Sequence, residues 1–440
     1  MSQKPLLLIV SPSAYPLGGV ADWLAYLLPS LEQMGWQCVL GLVQGIHNNV
    51  DAYLAQHHWH HVVRIDNPTG SERGRINAMI RVIQQVRPNL LVAVNISAIY
   101  DAIRILRTQG SPAPRLAMAL HGLQGDLLGD IHTAVDVLDA VVAPNQLAVR
   151  LASEGLGTAG RALYAPCGVL IQNHPSRSAK RAADQMLMLL YSGRLEETQK
   201  RVFDLPLLAC ELLARGVSFQ ISIAGGGPEE QALREKINEL DVSNHFQFLG
   251  VLDPFQLSCT YREHDALIIT SVWETGPIVA WEAMSYGLPV ISSSYVGSGL
   301  EGALVHHGNC LIFPVGNMDA AACAVQSLAN AGLVERLVQG GLDLVRTRYS
   351  RQTSVAMWDA AFRRVLALPA LPAPDMRPPS TPSGRLDRWL GAAGGEFFRR
   401  ALGVSYHHDG PGGEWPHTRQ PDVSQDAFLA RASALDQVTI

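Results

Sequence analysis

Two glutamates eight positions apart are the residues with the clearest chemical potential in this sequence. Glu274 comes shortly after the apolar run Ala266 to Thr270, and Glu282 lies in a helical pattern that begins near Pro277. Gly276 can adopt the backbone of a tight turn, and Pro277 suits the first position of a helix. A helix N-terminus attracts anions, and ionised carboxylates accept hydrogen bonds from hydroxyl groups. The segment therefore suits a ligand with phosphate and sugar groups, although a surface glutamate and a helix-start glutamate would give the same pattern.

A second group of polar residues follows the apolar run Met186 to Tyr191. Arg194 and Lys200 could hold a diphosphate, because a guanidinium forms paired hydrogen bonds with phosphate and an ammonium acts as a point charge. Lys200 is one of only four lysines in the chain, so it does not belong to a lysine-rich surface. The alternative interpretation is a solvated run of charges.

Two glycine turns also follow apolar runs. Gly225 and Gly226 come directly after Phe219 to Ala224. Gly18 and Gly19 follow the first apolar run of the chain. Glycine lets the backbone approach a ligand closely, but each turn alone is weak evidence because any strand-to-helix turn can use glycine. Together, the four groups at the carboxyl ends of expected strands predict a ligand in a cleft between two domains.

Short apolar runs alternate with helical patterns, which is typical of doubly wound α/β domains with parallel sheets. The polar stretch His174 to Arg181 interrupts the pattern, and we expect a linker there. We predict Rossmann-like domains over residues 1–176 and 177–350, a closing helix over 351–369 that could cross back to the first domain, and a proline-rich tail over 370–440. The expected strands are Leu6–Val10, Cys38–Val43, Leu90–Val94, Leu116–Leu120, Val141–Ala143, Met186–Tyr191, Phe219–Ala224, Phe246–Leu249, Ala266–Thr270 and Val290–Ile291.

The tail contains a basic amphipathic pattern over residues 385–402. A helix of this kind could contact a membrane surface or a protein partner. Gly391, Gly394 and Gly395 weaken the expected helix. The apolar residues of the pattern are Leu386, Trp389, Leu390, Phe397 and Phe398, and its cations are Arg385, Arg388, Arg399 and Arg400.

Composition narrows the classes of function. A net charge of −5 gives no general positive field for nucleic acid. The apolar runs are far shorter than the roughly 18 residues of a membrane span, and the first run is too short for a secretory signal. We therefore expect a cytoplasmic protein that could lie peripherally at the inner membrane face. The six cysteines have no metal-ligand spacing, so no metal site is expected.

These motifs resemble the retaining glycosyltransferases of family 4, which have the GT-B fold. In that fold two doubly wound Rossmann-like domains face each other across a cleft. The resemblance covers about residues 5–366 and leaves a C-terminal extension outside it. Its most specific element is the Glu-x7-Glu motif of Glu274 and Glu282. The segment from Glu282 to Ile291 is similar to the family pattern E-A-M-x-x-G-x-P-V-I.

The resemblance implies a hexosyltransferase that moves a sugar from a UDP- or GDP-sugar to an acceptor hydroxyl. It places Glu274 at the transferred sugar and Glu282 at the ribose. It also implies that Arg194 and Lys200 hold the diphosphate. The other residues that it places at the donor are Gly18, Gly19, Gly225 and Gly226 in glycine loops, His121 beside the sugar, Val251 and Leu252 at the base, and Gly276, Pro277, Ile278 and Val279 at the helix N-terminus.

The resemblance also implies a mechanism, in which the acceptor attacks the sugar face from which the nucleotide leaves and a phosphate oxygen takes its proton. The D-x-D triplet, the metal clamp of the other main glycosyltransferase fold, does not occur in this chain. We therefore expect transfer without a metal and without a permanently bound cofactor. The acceptor could be a saccharide, a lipid-linked saccharide or a small molecule, in a polysaccharide or glycolipid pathway.

Two positions depart from the family pattern. The spacing from Arg194 to Lys200 is one residue longer than the commonest form, and Pro277 removes one N–H group. Two alternatives stay open: a sugar-nucleotide epimerase of the same fold, and a catalytically silent sugar-nucleotide-binding subunit. An NAD-linked oxidoreductase is disfavoured because Gly18 and Gly19 are not part of a G-x-G-x-x-G turn.

Overall fold

The protein divides into two compact units. The structure is a computed structural model that describes residues 4–14, 18–172, 186–375, 383–407, 412–418 and 424–437. Unit 1 combines Met1–Ala165 with Val355–Leu429. Unit 2 combines Pro166–Ser354 with Ala430–Ile440. The stretch His174 to Arg181, which we predicted to be a linker, lies outside the described residues.

A parallel β-sheet forms the centre of unit 1. Its strands are β1 (Leu6–Ser11), β2 (Gln37–Gln44), β3 (Val62–Asp66), β4 (Leu90–Ala93), β5 (Arg115–Ala119), β6 (Ala140–Ala143) and β7 (Ala162–Tyr164). They lie in the order β3-β2-β1-β4-β5-β6-β7, and each neighbouring pair is parallel. The apolar runs predicted β1, β2, β4, β5 and β6, whereas β3 and β7 were not predicted.

Helices connect these strands and cover the sheet. They are α1 (Gly19–Gln33), α2 (Val50–Gln56), α3 (Glu72–Val86), α4 (Ala98–Thr108), α5 (Gly125–Thr133) and α6 (Gln146–Leu156), with a 3-10 turn at Ala159–Arg161. The apolar stripe of α1 is buried as its spacing predicts, with Trp23, Leu24 and Leu27 almost inaccessible to solvent. Side-chain caps fix the starts of α3 at Ser71 and of α6 at Asn145.

Unit 2 repeats this architecture. Its strands are β8 (Leu187–Ser192), β9 (Phe219–Ala224), β10 (Phe246–Gly250), β11 (Ala266–Ile269), β12 (Val290–Ser293) and β13 (Leu311–Phe313). They form a parallel sheet in the order β10-β9-β8-β11-β12-β13. Its helices are α7 (Glu197–Lys200), α8 (Asp204–Ala214), α9 (Glu230–Glu239), α10 (Pro254–Glu263), α11 (Ile278–Ser285), α12 (Met318–Ser327) and α13 (Ala331–Arg348), with a 3-10 turn at Ser243–His245.

Both faces of the second sheet are buried. Ile268 of β11 belongs to one apolar cluster, and its neighbours Leu267 and Ile269 belong to another. Successive strand residues point to opposite faces, so the two clusters are the cores on the two sides of the sheet. Continuous apolar runs such as β11 arise from this double burial.

Three helices complete the chain: α14 (Arg351–Ala367), α15 (Gly384–Leu402) and α16 (Gln425–Asp436). Gly391 interrupts α15 with non-helical backbone angles, φ 69° and ψ 165°, so the expected amphipathic helix forms with a break. None of the described helices is sufficiently long and apolar to span a membrane.

The C-terminal extension lies along the carboxyl edge of the unit 1 sheet. It contacts the loops that follow four of the strands, which are β2, β3, β4 and β5. The contacts are Glu414 with the Ile46 N–H, Glu396 with Thr69 and Ser71, Pro416 with the Ser97 hydroxyl, and Gln425 with the Gly125 N–H. The described residues of the extension up to Leu429 are therefore a packed part of unit 1, at the sheet edge where ligands of α/β domains bind, whereas Ala430–Ile440 belong to unit 2.

Trp358 of α14 is fully buried in unit 1. Its ring lies 4.6 Å from Trp23 and 5.4 Å from Phe362, measured between ring centroids. Truncation to alanine removes these contacts and leaves a cavity.

We therefore expect Trp358→Ala to lower the free energy of unfolding by about 3 to 5 kcal/mol. Urea unfolding followed by circular dichroism measures the change. Trp389→Ala is the matched control, because Trp389 is 87% exposed and its loss should change the free energy by less than about 0.5 kcal/mol. Equal effects of the two substitutions would contradict the packing described for Trp358.

Candidate functional site

The candidate residues of unit 2 gather where its strands end. Arg194 and Lys200 follow β8, Gly225 and Gly226 follow β9, and the segment from Ser271 to Gly276 follows β11. Since β9, β8 and β11 are adjacent in the parallel sheet, their carboxyl ends meet at one edge. This edge is the ordinary ligand site of an open α/β sheet.

Glu274 is the central side chain of this edge. It is only 7% exposed, and its Oε1 atom accepts hydrogen bonds from Lys200 Nζ at 2.5 Å and from the Ser271 hydroxyl at 2.6 Å. Its Oε2 atom lies 3.4 Å from the side-chain amide nitrogen, Nε2, of Gln199. A buried carboxylate requires such partners, and together they fix its orientation.

Hydrogen bonds from backbone and side-chain donors hold α7 against the end of β11. The Val272 N–H donates to the Gln199 carbonyl at 2.8 Å, and the Thr270 hydroxyl donates to the Lys200 carbonyl at 2.6 Å. Gln199 also donates from its side chain to the Trp273 carbonyl at 2.9 Å. Lys200 therefore reaches Glu274 from a fixed backbone position.

Arg194 has a more open environment than Lys200. Its side chain is 58% exposed and pairs with Glu196 at 2.6 Å. Glu196 is also the N-cap of α7, where it accepts from the Gln199 N–H. The structure thus brings Lys200 to Glu274 directly and leaves Arg194 at the solvent-exposed side of the same loop.

Glycines allow the loops after β8 and β9 to touch through their backbones. A Cβ atom on Gly225 would lie 2.0 Å from the Gly193 carbonyl oxygen, and one on Gly227 would lie 2.3 Å from that of Leu195. Gly225 also has a φ of 135°, which favours glycine. The packing of the two loops therefore requires glycine at positions 225 and 227, whether or not a ligand binds beside Gly226.

The segment after Glu274 leads into α11. Gly276 adopts a φ of 134°, as expected for a tight turn. Pro277 is the N-cap residue and Ile278 the first residue of α11, so our placement of Pro277 at the first helical position was wrong by one residue. The first intrahelical bond runs from the Ala280 N–H to the Pro277 carbonyl, and the amides of Ile278 and Val279 precede it.

Glu282 lies one turn into α11 and is partly buried. Its Oε2 atom accepts a hydrogen bond from the Tyr261 hydroxyl at 2.9 Å. Burial, and then the charge of Glu282, raise the pKa of Tyr261 well above its ordinary value, so this hydroxyl stays protonated and donates. Sequence analysis did not identify Tyr261, because no motif links α10 to α11.

The predicted base-binding residues follow β10. Val251 is 64% exposed, and Leu252 is partly buried against the core. A Cβ atom on Gly226 would lie 3.4 Å from a methyl group of Val251. The loop after β10 thus lies beside the glycine turn after β9, as a nucleotide site at this edge would require.

A glycine loop after β12 surrounds a carboxylate. The backbone N–H groups of Gly297, Gly299 and Leu300 donate to Asp436 at 2.6, 3.1 and 2.8 Å. Such a cluster of N–H groups is a backbone anion site. The loop is joined to the Glu274 segment, since the Glu274 N–H donates to the Val296 carbonyl at 3.0 Å. Asp436 has no sequence motif that would have identified it.

The remaining candidates, Gly18, Gly19 and His121, lie in unit 1. Gly18 caps α1 and Gly19 is its first residue. His121 follows β5, and its ring centroid lies 4.5 Å from that of Trp23 and 5.9 Å from that of Trp358. Burial lowers the pKa of His121 to about 4, so the imidazole is neutral near pH 7.

Among the described residues, no cluster of three or more His, Cys, Asp or Glu side chains is arranged to hold a metal ion. Several groups at this edge could donate hydrogen bonds to an anion. They are Lys200, Arg194 and the first amides of α11.

Residues 174–340 match the family model described as glycosyl transferases group 1. This segment contains Arg194, Lys200, Glu274 and Glu282. An uncharacterised glycosyltransferase of Methanocaldococcus jannaschii is 32% identical over 168 residues, which cover 38% of this chain and 42% of that protein. The lipopolysaccharide 1,6-galactosyltransferase of Salmonella typhimurium is 34% identical over 136 residues, covering 28% of this chain and 37% of that protein. The matched segments thus span less than half of these relatives.

Solved structures are similar over most of the chain. Sucrose-phosphate synthase from Thermosynechococcus elongatus has a TM-score of 0.67 and 17% identity, and the match covers 82% of this chain and 99% of that one. HepE of Anabaena, in complex with UDP and glucose, has a TM-score of 0.64 and 17% identity, with coverage of 82% and 99%. Together with the two parallel sheets, these similarities identify the GT-B fold, and the predicted fold class is confirmed.

The lowered pKa of His121 predicts a pH dependence of stability. An unfolded histidine titrates near 6.5, so between about pH 6.5 and 4 the unfolded chain binds a proton that the folded chain does not. The contribution of neutral His121 to the free energy of unfolding is fully present above about pH 6.5, and it is lost as the pH falls from 6.5 towards 4.

We expect His121→Phe to reduce the loss of unfolding free energy between pH 7 and pH 5 by about 1 to 2 kcal/mol. Urea unfolding at both pH values measures it. His58→Phe is the control, since His58 lies on the same unit and is exposed. An unchanged pH dependence in His121→Phe would show that His121 titrates normally.

Proposed function

We propose that the protein is a retaining hexosyltransferase of the family 4 type, which moves a sugar from a nucleoside-diphosphate sugar to an acceptor hydroxyl without a metal ion. The observation that carries the proposal is the buried Glu274, held by Lys200 and Ser271 beside the N-terminus of α11. Carboxylate, ammonium and helix N-terminus together match the hydroxyl and phosphate groups of such a donor. The match of residues 174–340 to glycosyl transferases group 1 supports the same conclusion.

The donor diphosphate would bind at Lys200, Arg194 and the amides of Ile278 and Val279. Lys200 is 21% exposed and pairs with Glu274, so a diphosphate would share this cation with the carboxylate. Arg194 is more exposed and would exchange its contact with Glu196 for phosphate. Guanidinium and ammonium groups both form strong charge-assisted bonds with phosphate.

The sugar and nucleoside parts would bind on either side of the diphosphate. Glu274 would accept from hydroxyls of the transferred sugar, and Glu282 from those of the ribose, with Tyr261 orienting the Glu282 carboxylate. Val251 and Leu252 would contact the base. The roles of Gly18, Gly19 and His121 stay predictions that rest on the family resemblance, as does the metal-free mechanism.

In the proposed reaction the acceptor oxygen bonds to the anomeric carbon on the face from which the nucleotide departs. The bond between that carbon and the diphosphate oxygen breaks, and its electron pair stays on the diphosphate. The acceptor proton passes to a diphosphate oxygen. Lys200, Arg194 and the positive end of α11 stabilise the charge that develops on the leaving group.

A UDP-sugar is the first donor to test, because the similar HepE structure contains UDP and glucose. The acceptor is proposed to be a saccharide of a cell-surface polysaccharide or glycolipid, since the lipopolysaccharide 1,6-galactosyltransferase is among the relatives. A cytoplasmic location stays a prediction of the sequence.

Substitutions at the edge of the second sheet test the catalytic assignment. Glu274→Gln and Arg194→Ala should each reduce kcat/KM by at least about 100-fold, because they remove charge beside the reacting sugar and the leaving group. Lys200→Ala should act in the same direction. Product formation with a UDP-sugar is measured by chromatography, and circular dichroism verifies the fold.

The matched controls are Glu239→Gln and Arg346→Ala, whose side chains are exposed in α9 and α13. Both should keep the activity of the unmodified chain. Nearly unchanged turnover in Glu274→Gln and in Arg194→Ala would contradict the proposal.

Ligand-induced stabilisation tests the donor site without an acceptor. A sugar nucleotide at 100 times its Kd should stabilise the protein by about 2.7 kcal/mol. Thermal unfolding with UDP-, GDP- and ADP-sugars should show this with one base, and Glu282→Ala should abolish it while Glu239→Ala keeps it. The absence of a shift with every sugar nucleotide would argue against the donor site. A shift without any transfer would indicate a catalytically silent subunit.

A further inference from the structure

Helix α15 presents large apolar side chains to solvent. Trp389 is 87% exposed, Phe397 and Leu402 are each 68% exposed, and Leu390 and Phe398 are each more than 40% exposed. Isolated exposed apolar residues are ordinary, but five on one helix of nineteen residues form a concentrated surface. We call the exposed side of α15 the aromatic face.

The acidic side chains of α15 are buried, and its exposed charged side chains are basic. Asp387 pairs with Arg399 at 2.5 Å. Glu396 accepts from Thr69 at 2.7 Å and from Ser71 at 2.5 Å, and it also pairs with the half-exposed Arg400 at 2.7 Å. Arg399 is buried with Asp387, so our expectation that Arg399 lies on the basic surface was wrong. The exposed charged residues of this fully described helix are Arg385, Arg388 and Arg400, all cations.

The aromatic face is held in place and does not belong to a loosely attached segment. The Tyr406 N–H, just after α15, donates to the Thr69 carbonyl at 2.8 Å. Gly70, at φ 63°, passes so close to Tyr406 that a Cβ atom would collide with its carbonyl oxygen. The buried Glu396 therefore anchors one side of α15 to the loop after β3, while Asp387 joins Arg399 and the Ser383 N–H within the extension, and the opposite side of α15 faces outward.

The neighbouring helix extends the positive charge. α3 packs against α15, and its Arg81 is exposed and lies close enough to Arg400 and to Glu396 for their charges to interact, so two arginines accompany one buried carboxylate here. Arg81 and Arg400 lie beside the apolar side chains of α15. A binding partner that matches this combination has anionic groups next to hydrocarbon. A bilayer with anionic headgroups is such a partner.

We propose that α15 docks the protein on an anionic lipid bilayer. Trp389, Phe397 and Phe398 enter the boundary between headgroups and acyl chains, and Arg385, Arg388 and Arg400 contact lipid phosphates. Aromatic side chains prefer this boundary, and arginines near an anionic surface strengthen binding. Because the extension also lies along the carboxyl edge of the unit 1 sheet, docking brings that edge close to the lipid surface.

Vesicle sedimentation of the full chain tests the proposal. The vesicles contain phosphatidylcholine alone or phosphatidylcholine with phosphatidylglycerol. We expect binding to the anionic vesicles that weakens at high salt, and at least tenfold weaker binding to the neutral ones, since each arginine near the surface contributes about fivefold. Equal binding to both vesicle types, or binding to neither, would overturn the proposal.

Substitutions locate the docking surface. The double variant Trp389→Ser with Phe397→Ser should bind anionic vesicles at least about tenfold more weakly. Arg385→Gln with Arg388→Gln should also bind them at least about tenfold more weakly and should show a smaller salt dependence, because Arg400 and Arg81 remain. The controls are Phe255→Ser, at a residue that is 75% exposed in α10, and Arg150→Gln, at a side chain that is 62% exposed in α6.

Unchanged vesicle binding in both double variants would also overturn the proposal. A loss of self-association in the aromatic variant, measured by analytical ultracentrifugation and without any vesicle binding, would assign the aromatic face to a second copy of the chain. The assay needs neither donor nor acceptor, so its result does not depend on the transferase proposal. The aromatic and arginine substitutions affect exposed side chains, and circular dichroism should confirm that the variants fold.

Discussion

The ion pair between Lys200 and Glu274 determines how the edge of the second sheet is built. A carboxylate that is 7% exposed is stable as an anion only when cations and hydrogen-bond donors surround it. The loop after β8 must therefore meet the loop after β11, and the adjacency of these two strands in the sheet permits it. The bonds from Val272 and Thr270 to the backbone of α7 fix the distance between the two loops.

Buried carboxylates in unit 1 also need cations or hydrogen-bond donors beside them. Asp139, whose side chain is 1% exposed, pairs with Arg107 at 2.7 Å and with Arg115 at 2.8 Å, and it accepts from the Leu116 N–H. Glu396 joins the C-terminal extension to the loop after β3 through Thr69 and Ser71. Each buried carboxylate thus joins segments that are far apart in the chain, because removing one partner would leave an uncompensated buried charge.

The sequence predicted the interior strands and the edge strand β10, but it did not predict the other three edge strands. β4, β6 and β11 are continuous apolar runs because both sheet faces are covered, whereas β3, β7 and β13 lie at sheet edges and are short or partly exposed. Glu274 and Lys200 were identifiable from a motif and from their positions after strands. Ser271, Gln199 and Tyr261 were not, because their roles depend on which loops meet. Arg399 was misplaced because helical spacing alone does not show which side of a helix faces a buried acid.

Unit 1 consists of two separate parts of the chain, and this separation affects its folding during synthesis. Trp358 and Phe362 fill a core lined by Trp23 and Trp36, and Trp36 donates from its indole nitrogen to Asp359 at 2.7 Å. Residues 166–354 lie between these parts and belong to unit 2. A ribosome that adds about 5 to 20 residues per second needs roughly 10 to 40 s to synthesise that insertion. During this interval the first 165 residues have left the ribosome without the aromatic side chains that complete their core. Chaperones that shield apolar surface would act on the nascent N-terminal segment in this interval, before α14 emerges.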